Sequence, residues 1–184
     1  MRHVFMQAAA GRLADLNIAT FRYHFPFMEG GRGGPNRPPI LVKTVRSAVA
    51  EAASLEPGLP LFAGGKSMGG RMTSTAASKE PLPGVLGLVF FGFPLHPPGR
   101  DSDERGAHLA DVGLPMLFLQ GTRDRLAKLD LLEPLLARVE PRPTLHVVES
   151  ADHGFHVTKR SGRTDDEALD EMCSRSSEWI SELI

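Results

Sequence analysis

Five consecutive residues, Gly65-Lys66-Ser67-Met68-Gly69, constrain this chain more than any other stretch. They have the spacing G-x-S-x-G, between a short apolar run at 59–63 and a helix-forming run that begins at Gly70. A serine on such a strand-to-helix turn holds its hydroxyl out at the end of a sheet. Glycines flank it because the turn brings strand and helix too close for side chains. The backbone N–H of Met68 then lies at a helix N-terminus, where it can meet a developing negative charge.

Partners for Ser67 follow in the chain order that this geometry demands, an acid and then a histidine. The apolar run 114–120 reads as a buried strand, and Gly121-Thr122-Arg123-Asp124 is the loop that leaves it. The run 144–149 reads as another, followed by Ser150-Ala151-Asp152-His153. Asp124 and His153 are therefore expected at the same sheet edge as Ser67, with His153 as base and Asp124 orienting its ring. Each has a competitor. Asp124 could simply cap the helix expected over 126–139. Asp101 and Asp103 follow the preceding strand and are reserve acids, and His156 competes with His153, which the adjacent Gly154 favours.

Gly65-Lys66-Ser67 also invites a phosphate-loop reading. That motif needs a glycine five residues before its G-K-S glycine, where this chain has Pro60. His153 and His156 have no nearby Cys or Glu set to complete a metal site. No metal and no organic cofactor is expected.

Helix and strand alternate along the chain, the pattern of an α/β fold with a mostly parallel sheet covered on both faces. Helices are expected over 4–16, 40–54, around 104–109 and from Thr164 onward, where Thr164-Asp165-Asp166-Glu167 forms a capping box. The last of these should bury Leu169, Met172, Cys173, Ile180 and Leu183. Strands are expected over 18–23 and 84–91, and residues 30–39 form a loop. With 184 residues and 41% hydrophobic content, the reading is a single domain over 1–184. The net charge of −1 gives no reason to expect nucleic acid or an anionic membrane as partner, and the Ser67 arrangement points to a small-molecule acyl substrate. The single cysteine suits a reducing cytoplasm.

These motifs resemble the small, cap-less α/β-hydrolases of the dienelactone-hydrolase-like group, related to the hydrolase-like domain of a chromatin acetyltransferase complex subunit. The resemblance rests on Phe25-Pro26-Phe27-Met28, Gly64-Gly65-Lys66-Ser67-Met68-Gly69-Gly70-Arg71, and Gly92-Phe93-Pro94-Leu95-His96-Pro97-Pro98-Gly99. It continues through Gln120-Gly121-Thr122-Arg123-Asp124, Ala151-Asp152-His153-Gly154-Phe155 and Lys159-Arg160-Ser161-Gly162-Arg163. It implies a hydrolase with Ser67, Asp124 and His153 as catalytic residues, acting on a carboxylic ester, thioester or lactone. Dienelactone hydrolases proper use a cysteine nucleophile, and this chain offers Ser67. Lys66 and Arg71 flank the nucleophile and could attract an anionic group on the substrate.

In one respect the chain departs from the group, whose members begin with a strand and an H-G-x-G-like loop that supplies a second oxyanion N–H. Here Met1 leads straight into the first helix. The missing strand would lie between 18–23 and 59–63. The favoured expectation is a start codon placed downstream of the natural one, since the rest of the site is intact; a shortened protein is the rival. That rival keeps open a second function, a non-catalytic interaction protein built on the same fold.

Overall fold

In the computed structural model, which describes residues 3–30 and 34–184, four strands form one sheet in the order β1-β2-β3-β4. β1 spans Leu61–Lys66, β2 Val85–Phe91, β3 Met116–Gly121 and β4 Thr144–Val148, and each pairs in parallel with the next. The helices are α1 (Val4–Asp15), α2 (Pro26–Glu29), α3 (Pro38–Leu55), α4 (Met68–Lys79), α5 (Leu129–Leu136) and α6 (Asp165–Ser181). Single 3-10 segments cover Glu104–Asp111 and Lys159–Ser161. Residues 1–2, and residues 31–33 of the expected loop, lie outside the described part.

The apolar runs of β2 and β3 are buried on both faces, and their alternation sorts the core into two halves. Leu88, Phe90 and Phe118 face α3, α4 and α5, packing with Val45, Met72 and Leu132. Val89, Phe91, Leu117 and Leu119 face α1 and α6, packing with Ala9, Met172 and Trp179. Truncating a fully buried ring such as Phe118 to alanine would cost about 3–5 kcal/mol. Thr164 and Glu167 do form a capping box at the start of α6. Leu183, expected in the core, is exposed because α6 ends before it, at Ser181. α5 is shorter than the expected 126–139. The chain up to Lys128 is held in a turn by side-chain acceptors, which delays the helix start to Leu129.

The strand expected over 18–23 is absent: residues 18–25 belong to no helix or strand. An extended segment becomes a strand only through a partner's hydrogen-bond ladder. Here a cleft of about 940 Å³ separates the segment from β1. Ala9 and Leu13 of α1, Val49 of α3 and β1 itself contribute to its walls. The segment is fixed instead by local contacts: the Ile18 N–H donates to the Leu13 carbonyl at 2.8 Å, and Arg22 donates to the Met6 carbonyl at 3.3 Å. Among the described residues β1 is consequently an edge strand, paired with β2 alone.

Candidate active site

β1 runs into the motif itself, ending at Lys66, and α4 begins at Met68. Ser67, alone between them, has φ 51° and ψ −120°. A non-glycine residue there carries strain of about 1–3 kcal/mol, tolerated only where the surroundings enforce it. Two contacts enforce it. The Ser67 N–H donates to the Phe91 carbonyl at 3.1 Å, tying the turn to the end of β2. Gly70 lies so close to the strand that a Cβ there would come within 2.7 Å of the Gly65 carbonyl oxygen.

His153 follows β4 on a short loop. Its Nε2 is 2.8 Å from Ser67 Oγ, and its Nδ1 is 2.7 Å from Asp124 Oδ2. An ionised carboxylate only accepts, so Nδ1 carries the proton and Nε2 accepts from the serine hydroxyl. The ring packs over Gly92, whose φ of 70° lets the chain turn away after β2. Asp152 shapes the loop: its Oδ1 accepts the N–H groups of Gly154 and His156 at 2.7 and 3.0 Å.

Asp124 is fully enclosed, and its two oxygens do different work. Oδ1 accepts the Leu126 N–H at 2.7 Å, the turn-forming role that competed with catalysis in the sequence. Oδ2 faces His153 and also accepts from Gln120 Nε2. The reserve acids are elsewhere: Asp101 pairs with Lys128, and Asp103 with Arg138 at 3.0 Å. His156 faces away and bonds Asp165 Oδ2 at 2.7 Å. That hydrogen bond raises its pKa.

Met68 is the first residue of α4, so its N–H is among those a helix leaves without an internal partner. Arg71 is half-buried; its Nε finds no hydrogen-bond partner among the described residues, and burial together with nearby Arg105 lowers its pKa. Lys66 does not face outward as a free cation. Its Nζ donates to the His153 carbonyl at 2.9 Å and lies 4.4 and 4.6 Å from the ring centres of Phe5 and Phe155.

Two supporting residues escaped the sequence analysis. Gln120 is fully buried, and its Oε1 accepts the Phe93 N–H at 3.0 Å while its amide supports Asp124. The signal was a lone polar residue in an otherwise apolar strand. His96 is equally buried. It bonds the Pro97 carbonyl through Nδ1 at 3.0 Å and accepts the Lys128 N–H on Nε2 at 3.3 Å, bracing the loop that carries Asp124.

The sequence pattern of the alpha/beta hydrolase domain matches residues 1–181. The chain belongs to the alpha/beta hydrolase family. Solved structures with this fold include an alpha-beta serine hydrolase homologue from Coxiella burnetii, 17% identical, with a TM-score of 0.74 over 96% of this chain and 77% of the other. A serine hydrolase without a lid from Xanthomonas campestris is 23% identical, with a TM-score of 0.69 over 95% and 74% of the two chains. A Butyrivibrio proteoclasticus protein with ferulic acid bound is 14% identical, with a TM-score of 0.71 over 99% and 84%. Among the described residues, no helix of this alpha/beta hydrolase is long and apolar enough to cross a membrane.

Proposed function

We propose that this alpha/beta hydrolase is a serine hydrolase that cleaves a carboxylic ester, thioester or lactone through an acyl-enzyme on Ser67. The observation that carries the reading is the unbroken chain of hydrogen bonds from Ser67 through His153 to Asp124. Ser67 Oγ attacks the acyl carbon while His153 Nε2 takes its proton. Asp124 holds the ring and balances the imidazolium, and the Met68 N–H meets the oxyanion. The imidazolium then protonates the leaving group, and water, activated by the same nitrogen, releases the acid.

Only twelve residues separate the end of β2 at Phe91 from the 3-10 segment at Glu104. That span is too short for a helical cap. An uncovered site suits small or protruding acyl groups, as in the lid-less, dienelactone-hydrolase-like group that the motifs resemble. Arg71, with its unpartnered Nε, is the residue suited to an anionic substituent on the substrate. The rival reading, a non-catalytic interaction protein, draws on the unpaired edge of β1 beside its cleft.

Covalent labelling decides between them. A fluorophosphonate should modify Ser67 in the native protein, and the adduct should vanish in Ser67→Ala. An unmodified wild-type protein would defeat the hydrolase reading.

A further inference from the structure

We propose that Lys66 is a positioning residue that straps the His153 loop to the nucleophile elbow, so that serine and imidazole are held in register by one side chain. The inference rests on the reading of Ser67, His153 and Asp124 as catalytic.

Three observations converge on it. Lys66 immediately precedes Ser67, yet its Nζ reaches the backbone carbonyl of His153 at 2.9 Å, from 87 positions away in the chain. The ammonium contacts two rings, 4.4 Å from the centre of Phe5 at the start of α1 and 4.6 Å from that of Phe155 in the His153 loop. Those rings also stack on each other, with centres 5.7 Å apart. A charged hydrogen bond and two cation–π contacts thus join three separate pieces of chain: the elbow, the histidine loop and the first helix.

The His153 loop needs such a strap. Phe155 has φ 66°, a backbone state costly for a bulky residue unless its ring is held. The rest of the loop is held by its own Asp152, by Asp165, which accepts the Val157 N–H and bonds His156, and by burial of the Phe155 ring, whereas Lys66 acts on the backbone of His153 itself. Letting it relax would move the imbalance straight to Nε2, because the strap acts on the histidine's own backbone. A misplacement of about 1 Å at such a nitrogen costs roughly a hundredfold in rate.

The strap requires charge. Burial pushes the Lys66 ammonium down to about 8, with the carboxylates of Asp124 and Asp152 partly opposing that fall. The other ionisable groups facing it are His153 itself and His156 on the same loop, whose pKa the lysine charge lowers slightly against the dominant Asp165 effect. Among the described residues, α1 contributes the Phe5 ring. As pH rises through about 8 the ammonium loses its proton, the cation–π contacts disappear and the strap slackens.

Two measurements test this on the intact protein. The first is the second-order rate of fluorophosphonate labelling from pH 6 to 10 for wild type, Lys66→Met and Lys66→Arg. The second is the downfield NMR resonance of the His153 Nδ1 proton, which reports the imidazole–Asp124 contact without any reaction. Wild type should lose labelling rate and sharpen less well in this resonance above pH 8. Lys66→Met should label about ten- to a hundredfold more slowly at pH 7, with no step near pH 8 and a broadened resonance. Lys66→Arg, which keeps its charge, should label close to the wild-type rate at pH 7 and hold it above pH 8.

Lys66→Met is also expected to melt lower, because the His153 carbonyl loses its donor, but a purely structural lysine would cost stability without broadening the Nδ1 resonance or removing a step near pH 8. Labelling of Lys66→Met within twofold of wild type, with an unchanged Nδ1 resonance, overturns the proposal. So does a wild-type resonance that ignores pH between 7 and 10. If wild type resists labelling but the resonance behaves as described, the strap stands and the hydrolase reading falls.

Discussion

Gln120 and Asp124 share one oxygen with the histidine: Gln120 Nε2 donates to Asp124 Oδ2, the same atom that lies 2.7 Å from His153 Nδ1. The amide fixes the carboxylate plane from behind, and its own position is fixed because Oε1 accepts the Phe93 N–H at 3.0 Å. The end of β3 and the chain after β2 are therefore joined beneath the acid.

Gln120→Ala should accordingly lower kcat with little change in KM, since the imidazole loses orientation while the substrate surface is untouched. It also strips the Phe93 N–H of its acceptor inside the protein, which costs about 1–3 kcal/mol. Steady-state kinetics and thermal melts of the same variant check both parts. A rise in KM alone would move Gln120 out of the supporting role.

Ser67→Ala and Ser67→Gly should both lose turnover of a short activated ester. They should differ in stability, because only glycine relieves the strain at φ 51°. Glycine is expected to melt higher than alanine, by an amount equivalent to about 1 kcal/mol. Equal melting points would mean that the elbow is not strained, and burst kinetics surviving in either variant would place the nucleophile elsewhere.

The two histidines should separate cleanly. His153→Gln should abolish activity, and His156→Gln should leave it near wild type. The contact between His156 and Asp165 instead contributes to stability within a pH window. Its hydrogen bond raises the His156 pKa, so the histidine's share is present below the unfolded value of about 6.5 and fades as pH climbs through the raised one. The same bond lowers the Asp165 pKa, so the aspartate's share is present above about 3.9 and fades as pH falls through the lowered one. The melting-point gap between wild type and His156→Gln should be widest at about pH 5–6 and close by about pH 9. A gap constant across that range would show that the imidazole charge is irrelevant.

The cleft beside β1 should bind an apolar fluorescent dye in the native state. Its walls are largely apolar and its volume, about 940 Å³, is that of a roomy small-molecule site. Near-UV circular dichroism should stay intact as the dye binds, in contrast to a molten state. Tryptophan in place of Ala53, on the cleft wall, should reduce the enhancement. Dye that binds equally well to that variant would be sitting elsewhere.

Much of this was legible in the residues. The elbow and the order Ser67, Asp124, His153 placed three strand ends correctly, because a parallel sheet puts all its carboxyl ends on one edge. The segment 18–23 was misread for a cooperative reason: its residues favour an extended chain, but a strand exists only in a ladder, and none reaches it across the cleft. Lys66 was read as a cation facing the substrate. Its contacts lie at Phe5 and at the His153 loop, too far along the chain for any local pattern to reveal.

The division of labour within Asp124 limits how this site can be rebuilt by mutation. One oxygen shapes the turn and the other bonds the imidazole, so any substitution there disturbs both contacts at once. Moving the acid to the end of β2 would demand more than a new carboxylate beside His153. The loop after β3 would also have to find another acceptor for the Leu126 N–H, and both changes would have to arrive together. Asp101 and Asp103, nearby in sequence but committed to Lys128 and Arg138, offer no intermediate step. A carboxylate that holds its own turn with one oxygen and the imidazole with the other ties the His153 contact to the loop after β3.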